Sequence, residues 1–216
     1  MVKQPRLSAV EEKRILRLLS NHSCPVPFHE VRTRFIGNIA SPDMTASPMR
    51  MIQDLWGGEL PEFETKGEAE ELIGALMQGL WNDLTRHQKR TDPFRLSRVK
   101  IDPNLVHLAK QSQRRREELD GFVEGLFNGQ EEIDLPEKAH IALGTLGEIR
   151  AMFAGIHEIS VSDAKPADVT ELEKTFKHLR ELSRISEREI NTVIQSCTRA
   201  RRQMLKTFTA EKPTIH

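Results

Sequence analysis

TKGEAEELIGALMQGLWNDL, residues 65–84, is the stretch whose reading decides the fold class. Leu72, Ile73, Leu76, Leu80 and Leu84 recur at helical spacing, so one face is apolar and the rest polar, as in an amphipathic helix packed on a core. Thr65 followed three residues later by Glu68 is a capping box and marks the start. Just upstream, LWGGELPEF (55–63) reads as a joint rather than a site. Trp56 is the last periodic residue of a preceding helix and packs inward. Gly57 and Gly58 are placed where a left-handed backbone closes a helix, and Pro61 delays the next.

Working outward, the same grammar repeats. Ser8 and Glu11 cap a helix over about 9–20 with Ile15, Leu18 and Leu19 on its apolar stripe. Phe28, Val31, Phe35 and Ile39 mark a second, short one, and Ser47-Pro48 starts a third that carries Met49, Ile52 and Trp56. TDPFRLSRVKIDPN (91–104) is a connector, and Asp102-Pro103 is the expected start of the following helix. In ELDGFVEGLFNG, Leu119, Phe122, Val123 and Leu126 point inward and Gly129 is a stop signal. A core helix follows Pro136. SVSDAKPAD (160–168) is the best boundary candidate. Beyond it Asp168/Glu171 and Ser186/Glu189 each read as a cap, which predicts two helices in an antiparallel hairpin. The expectation is an all-α multi-helix bundle of about seven or eight helices. It divides into an N-terminal extension (1–33), a helical core (34–160) and a C-terminal hairpin and tail (161–216).

Composition agrees. Of 216 residues 38% are hydrophobic, 30% charged and 5% aromatic, with no tyrosine, a mix that favours helix over strand. The 32 basic and 32 acidic residues cancel, so no global charge draws the chain to nucleic acid or membrane. Along the chain they segregate into blocks of net −7 (51–83), +8 (84–116) and −8 (117–148), the pattern of antiparallel helices presenting complementary faces. Cys24 and Cys197 form no CxxC and fit reduced, cytoplasmic thiols. The first residues are too charged for a signal peptide. The longest apolar run, LIGALMQGLW, is about half a membrane span, so no membrane is expected.

Catalytic motifs are missing: there is no phosphate-cradling GxxxxGK[ST], no GxGxxG and no GxSxG. No histidine pair has HExxH or HxxxH spacing. Glu137 and His140 form a single ExxH, and His22 with Cys24 lacks further ligands, so no metal and no cofactor are expected. The arginine clusters are the candidate interaction residues. Arg114, Arg115 and Arg116 lie in the +8 block, and Arg199, Arg201 and Arg202 lie with Lys206 along the last helix. Such helices can rest against phosphates with salt-dependent affinity.

Taken in order, RFIGNIASP (34–42), ASPMRMIQDLWGGE (46–59), EAEELIGALMQGLWNDL (68–84), PFRL (93–96) and ELDGFVEGL (118–126) resemble the YecA/YgfB-like family of bacterial helical proteins. KPTIH (212–216) is similar to the tail of some members. The family's markers here are Trp56, Gly57 and Gly58 in the turn and Gly121 and Phe122 in the later helix. The resemblance implies an all-helical cytosolic bacterial protein and says little about activity. The Cys/His metal module of some members is not implied, because Cys197 and three histidines are all that follow residue 156.

These readings predict a non-enzymatic helical adaptor or regulator acting through protein–protein contacts, with self-association possible. The alternative is a nucleic-acid-associated protein using the two arginine clusters.

Overall fold

The computed structural model describes residues 7–98, 102–162 and 168–210, and among them every regular element is helical. Capping chemistry sets the starts. The Glu11 N–H donates to Ser8 Oγ (3.2 Å) and the Ser8 N–H to Glu11 Oε2 (2.9 Å), closing a full box ahead of α1 (Ala9–Asn21). Helix α2 (Phe28–Ala40) follows a Pro27 cap, and α3 (Pro48–Asp54) has Ser47 as cap and proline in its first turn. Gly57 and Gly58 then adopt φ of 82° and 109°, and Trp56 Nε1 donates to the His22 carbonyl (2.8 Å), pinning the joint to the end of α1.

The 65–84 stretch departs from a plain α-helix. Helix α4 (Lys66–Gly74) runs into a π-helical segment, Ala75–Trp81, then α5 (Asn82–Leu84) and a 3-10 turn (Thr85–Gln88). The leucines explain this. Leu72, Leu76, Leu80 and Leu84 are all buried and fall four apart. Four-residue steps overshoot the 3.6-residue α turn and fall short of the wider π turn, so the two drifts offset each other and the mixed helix keeps the leucines on one face.

Helix α6 (Leu105–Phe127) starts two residues later than the expected Asp102-Pro103 start. Asn104, not Asp102, is its cap, accepting the His107 N–H on Oδ1 (2.8 Å). Asn128 (φ 51°) and Gly129 (φ 76°) end it in the left-handed region. Helices α2 and α6 approach at backbone contact. A Cβ on Gly37 would run into the Phe122 carbonyl, one on Gly125 into the Arg34 carbonyl, and one on Gly121 would stand 2.7 Å from Thr33 Oγ1. Phe122, beside these glycines, is fully buried.

Helices α7 (Glu137–Val161) and α8 (Val169–Ala210) complete the bundle. Here the expected C-terminal hairpin is corrected: residues 169–210 form one helix of 42 residues. Ser186 caps nothing; it is buried, and its hydroxyl donates to the Leu182 carbonyl (2.9 Å) inside the helix. The reason is a seam at alternating steps of four and three: Leu172, Phe176, Leu179, Ser183, Ser186, Ile190, Val193 and Cys197, all buried. The phase never breaks, so neither does the helix. One apolar cluster runs from Ile15 through Phe35, Leu76 and Phe122 to Cys197, shared by all three stretches of chain. KPTIH and the centre of the boundary segment, 163–167, lie outside the described residues.

Candidate anion-binding groove

The two arginine clusters have different fates. Arg114, Arg115 and Arg116 do not form a surface patch, because consecutive helical residues fan out by about 100° each. Arg115 is buried. It donates from Nε to Ser183 Oγ (3.0 Å) and from Nη2 to the Ser97 carbonyl (2.8 Å), and it forms an ion pair with the fully buried Glu118. Glu118 also accepts the Ser97 N–H (2.8 Å). The network ties α6, α8 and the connector together and leaves Arg115 no route to a ligand. Arg114 and Arg116 are half-buried beside it.

On α8, Arg201 is likewise not a surface contact. It turns to the end of α2 and donates to the Ser41 carbonyl (3.2 Å), and burial lowers its pKa. Arg199 and Arg202 are exposed and belong to a longer array. Lys177, Arg180, Arg184, Arg188, Asn191, Gln195, Arg199, Arg202 and Lys206 follow one another at steps of three or four, so they form one row along the helix. Its cations are all exposed.

In the middle of the row, where α8 offers two amides, the connector supplies charge instead. Phe94 donates its N–H to Asn191 Oδ1 (2.8 Å) and accepts from Asn191 Nδ2 (3.0 Å). One turn to either side, Glu187 accepts the Leu96 N–H (3.1 Å) and Gln195 donates to the His87 carbonyl (3.3 Å). Residues 87–97 are thus strapped to α8. Phe94 is buried, with the His87 ring edge-on at 5.4 Å and the Arg32 guanidinium over its face at 5.4 Å. Burial, the largest influence on His87, holds its imidazole below the usual pKa, and Nδ1 contacts the Asp92 carbonyl (2.8 Å).

The strap places Lys89, Arg90 and Arg95 against the row, and together they wall two adjoining hollows of about 650 and 410 Å³ that share Arg90, Gln195 and Arg199. Lys138, at the start of α7, reaches the first. The lining cations are Lys89, Arg90, Arg95, Lys138, Arg184, Arg188, Arg199, Arg202 and Lys206, against the lone carboxylate of Glu187, which pairs with Arg95 (2.6 Å). Glu181 and the half-buried Glu189 pair with the exposed Arg184 (3.4 Å) and Arg188 (2.8 Å), surface contacts worth about 0–1 kcal/mol each. Like charges a turn apart destabilise a helix by a few tenths of a kcal/mol each. The row therefore works against the helix that carries it until an anion neutralises it.

Most of these cations escape a sequence reading because the helix break expected ahead of the Ser186/Glu189 cap cuts the row in two. The step pattern of basic residues from Lys177 to Lys206 is the signal that finds it. No aromatic side chain lines either hollow, so the site has phosphate-type donors and no stacking platform. Among the described residues, no group of three or more His, Cys, Asp or Glu could hold a metal ion, and no helix is long and apolar enough to cross a membrane. Glu137 and His140 are both exposed. No protein-family profile, curated protein or solved structure matches the chain, so the resemblance to the YecA/YgfB-like family rests on its motifs alone.

Proposed function

We propose that this protein is a non-enzymatic module that binds the phosphate backbone of nucleic acid along α8. The observation that carries the reading is the row of exposed cations between Lys177 and Lys206, broken only by the amides Asn191 and Gln195, where Arg90 and Arg95 from the strap supply the charge. Without stacking aromatics the contact is electrostatic and indifferent to sequence. With about five phosphates neutralised, affinity falls roughly 500-fold between about 50 and 200 mM salt. The test is fluorescence anisotropy of labelled duplex and single-stranded probes against the wild type and the Arg184→Glu, Arg199→Glu, Arg202→Glu triple variant. Binding that is steep in salt and lost in the variant is expected. Absence of wild-type binding at low salt, or an unaffected variant, overturns the reading.

The second reading, an adaptor or regulator acting through protein contacts, is favoured by the outer face of α7, where Ile141, Met152 and Ile159 stand exposed. A cytoplasmic setting belongs to the same proposal and is supported by the free thiols of Cys24 and Cys197. The bacterial origin rests on the order of the motifs.

A further inference from the structure

We infer that the outer face of α7 is a self-complementary surface on which a second copy of this chain docks, antiparallel, about a two-fold axis that crosses this face level with residue 150. The inference stands apart from the nucleic-acid reading. Its starting point is a helix with apolar residues on both sides. Ala139, Ala142, Leu146, Ile149 and Phe153 are buried in the bundle, yet Ile141 is 62%, Met152 52% and Ile159 72% exposed on the opposite side. An amphipathic surface helix carries polar residues there.

Ile141, Gly144, Glu148, Met152, Gly155 and Ile159 lie at steps of three and four and so share one stripe. At Gly144 and Gly155 an added Cβ would meet nothing within 4 Å, so the chain's own packing gives no reason for either glycine. Glycine weakens a helix relative to alanine, but it lets another backbone come close.

The stripe reads nearly the same in both directions from Arg150. Ile141 and Ile159 stand nine residues to either side, Glu148 and Met152 two, and Gly144 and Gly155 six and five. An antiparallel copy therefore sets Ile141 against Ile159, Gly144 against Gly155 and Met152 against the stem of Glu148. Each contact occurs twice, as a two-fold interface requires. The rim is complementary as well: His140 and Glu158, both exposed beside the stripe, fall within a turn of one another across the pair. The stripe from Ile141 to Ile159, about 28 Å long and about 10 Å wide, offers on the order of 300 Å² per copy, which fits only a weak, reversible dimer.

The test is sedimentation equilibrium of the full chain from about 10 to 500 µM, the range in which so small an interface associates. A mass rising from 24.7 kDa toward twice that value is expected for the wild type, and a constant 24.7 kDa for Ile141→Lys, Ile159→Lys with unchanged helix content. Direction is read by oxidised glutathione in a Cys24→Ser background. Ile141→Cys mixed with Ile159→Cys should form a disulfide-linked pair, and Ile141→Cys alone should not. A wild type that stays at one copy throughout, or Ile141→Cys chains that link to each other as readily as to Ile159→Cys, overturns the inference.

Discussion

Asn191 holds both the N–H and the C=O of Phe94, at 2.8 and 3.0 Å, so one side-chain amide substitutes for a strand partner along a segment that has none. The strap bearing Arg90 and Arg95 depends on it. Asn191→Ala leaves two part-buried backbone groups without their partner, a loss of about 1–3 kcal/mol. A lower thermal midpoint together with weaker probe binding is expected. A loss of stability with binding intact would show that the strap's cations do not act through this anchor.

The crossing of α2 and α6 is set by glycine. Gly125→Ala drives a methyl group into the Arg34 carbonyl, and Gly37→Ala meets the Phe122 carbonyl, both backbone atoms that cannot rotate away. Each should destabilise by about 3 kcal/mol or more, by chemical denaturation. Gly144→Ala, in open space on α7, should stabilise the dilute protein by about 1 kcal/mol. Equal effects at the two kinds of site would contradict the packing described.

Arg115 is a structural cation. Arg115→Met leaves the Glu118 carboxylate buried and unpaired, a cost of about 3–5 kcal/mol, whereas Arg114→Ala should change little. Urea unfolding distinguishes the two. A stable Arg115→Met protein with selectively weakened nucleic-acid binding would return Arg115 to the surface.

Burial keeps His87 neutral in the fold, below its ordinary pKa of 6.5, while the unfolded chain takes up a proton there. Stability from this group is complete above pH 6.5 and is lost as pH falls through 6.5 toward the folded value. At the alkaline end, burial pushes the Cys197 thiol up to about 12 from 9.0, so its contribution is complete below pH 9 and lost between 9 and about 12. In His87→Asn, which keeps a donor near the Nδ1 position, the acid-side slope should flatten. An unchanged slope would assign it to other groups.

How much of this is legible in the sequence depends on how polar the seams are. Helices α1 to α4 follow from caps and apolar steps, because Ile15, Leu19, Ile52 and Leu72 are both periodic and buried. Helix α8 is misread because Ser183 and Ser186 occupy seam positions, and serine before Glu189 has the grammar of a helix start. Only the phase running from Leu172 to Cys197 settles it. Arg115 is misread for the same reason. The buried steps Phe122 and Leu119, carried back along α6, land on Arg115, Ser112 and Leu108, but a charged residue does not announce itself as core. The π segment is not legible, because leucines at steps of four fit the stripe of an ordinary α-helix equally well.

That α8 is one rod has a mechanical consequence. Its 42 residues extend about 63 Å, and the seam that seats it and the cations that line the groove are cut into the same shaft. Torsion passes between them undiminished. One alanine inserted after Ser186 would turn everything beyond it by about 100°, swinging Ile190, Val193 and Cys197 off the core and Arg199 and Arg202 out of the groove together. An insertion of seven residues would nearly restore the angle. A loop at that place would absorb either insertion, so folding and charge alignment are geared to each other only because no loop is there.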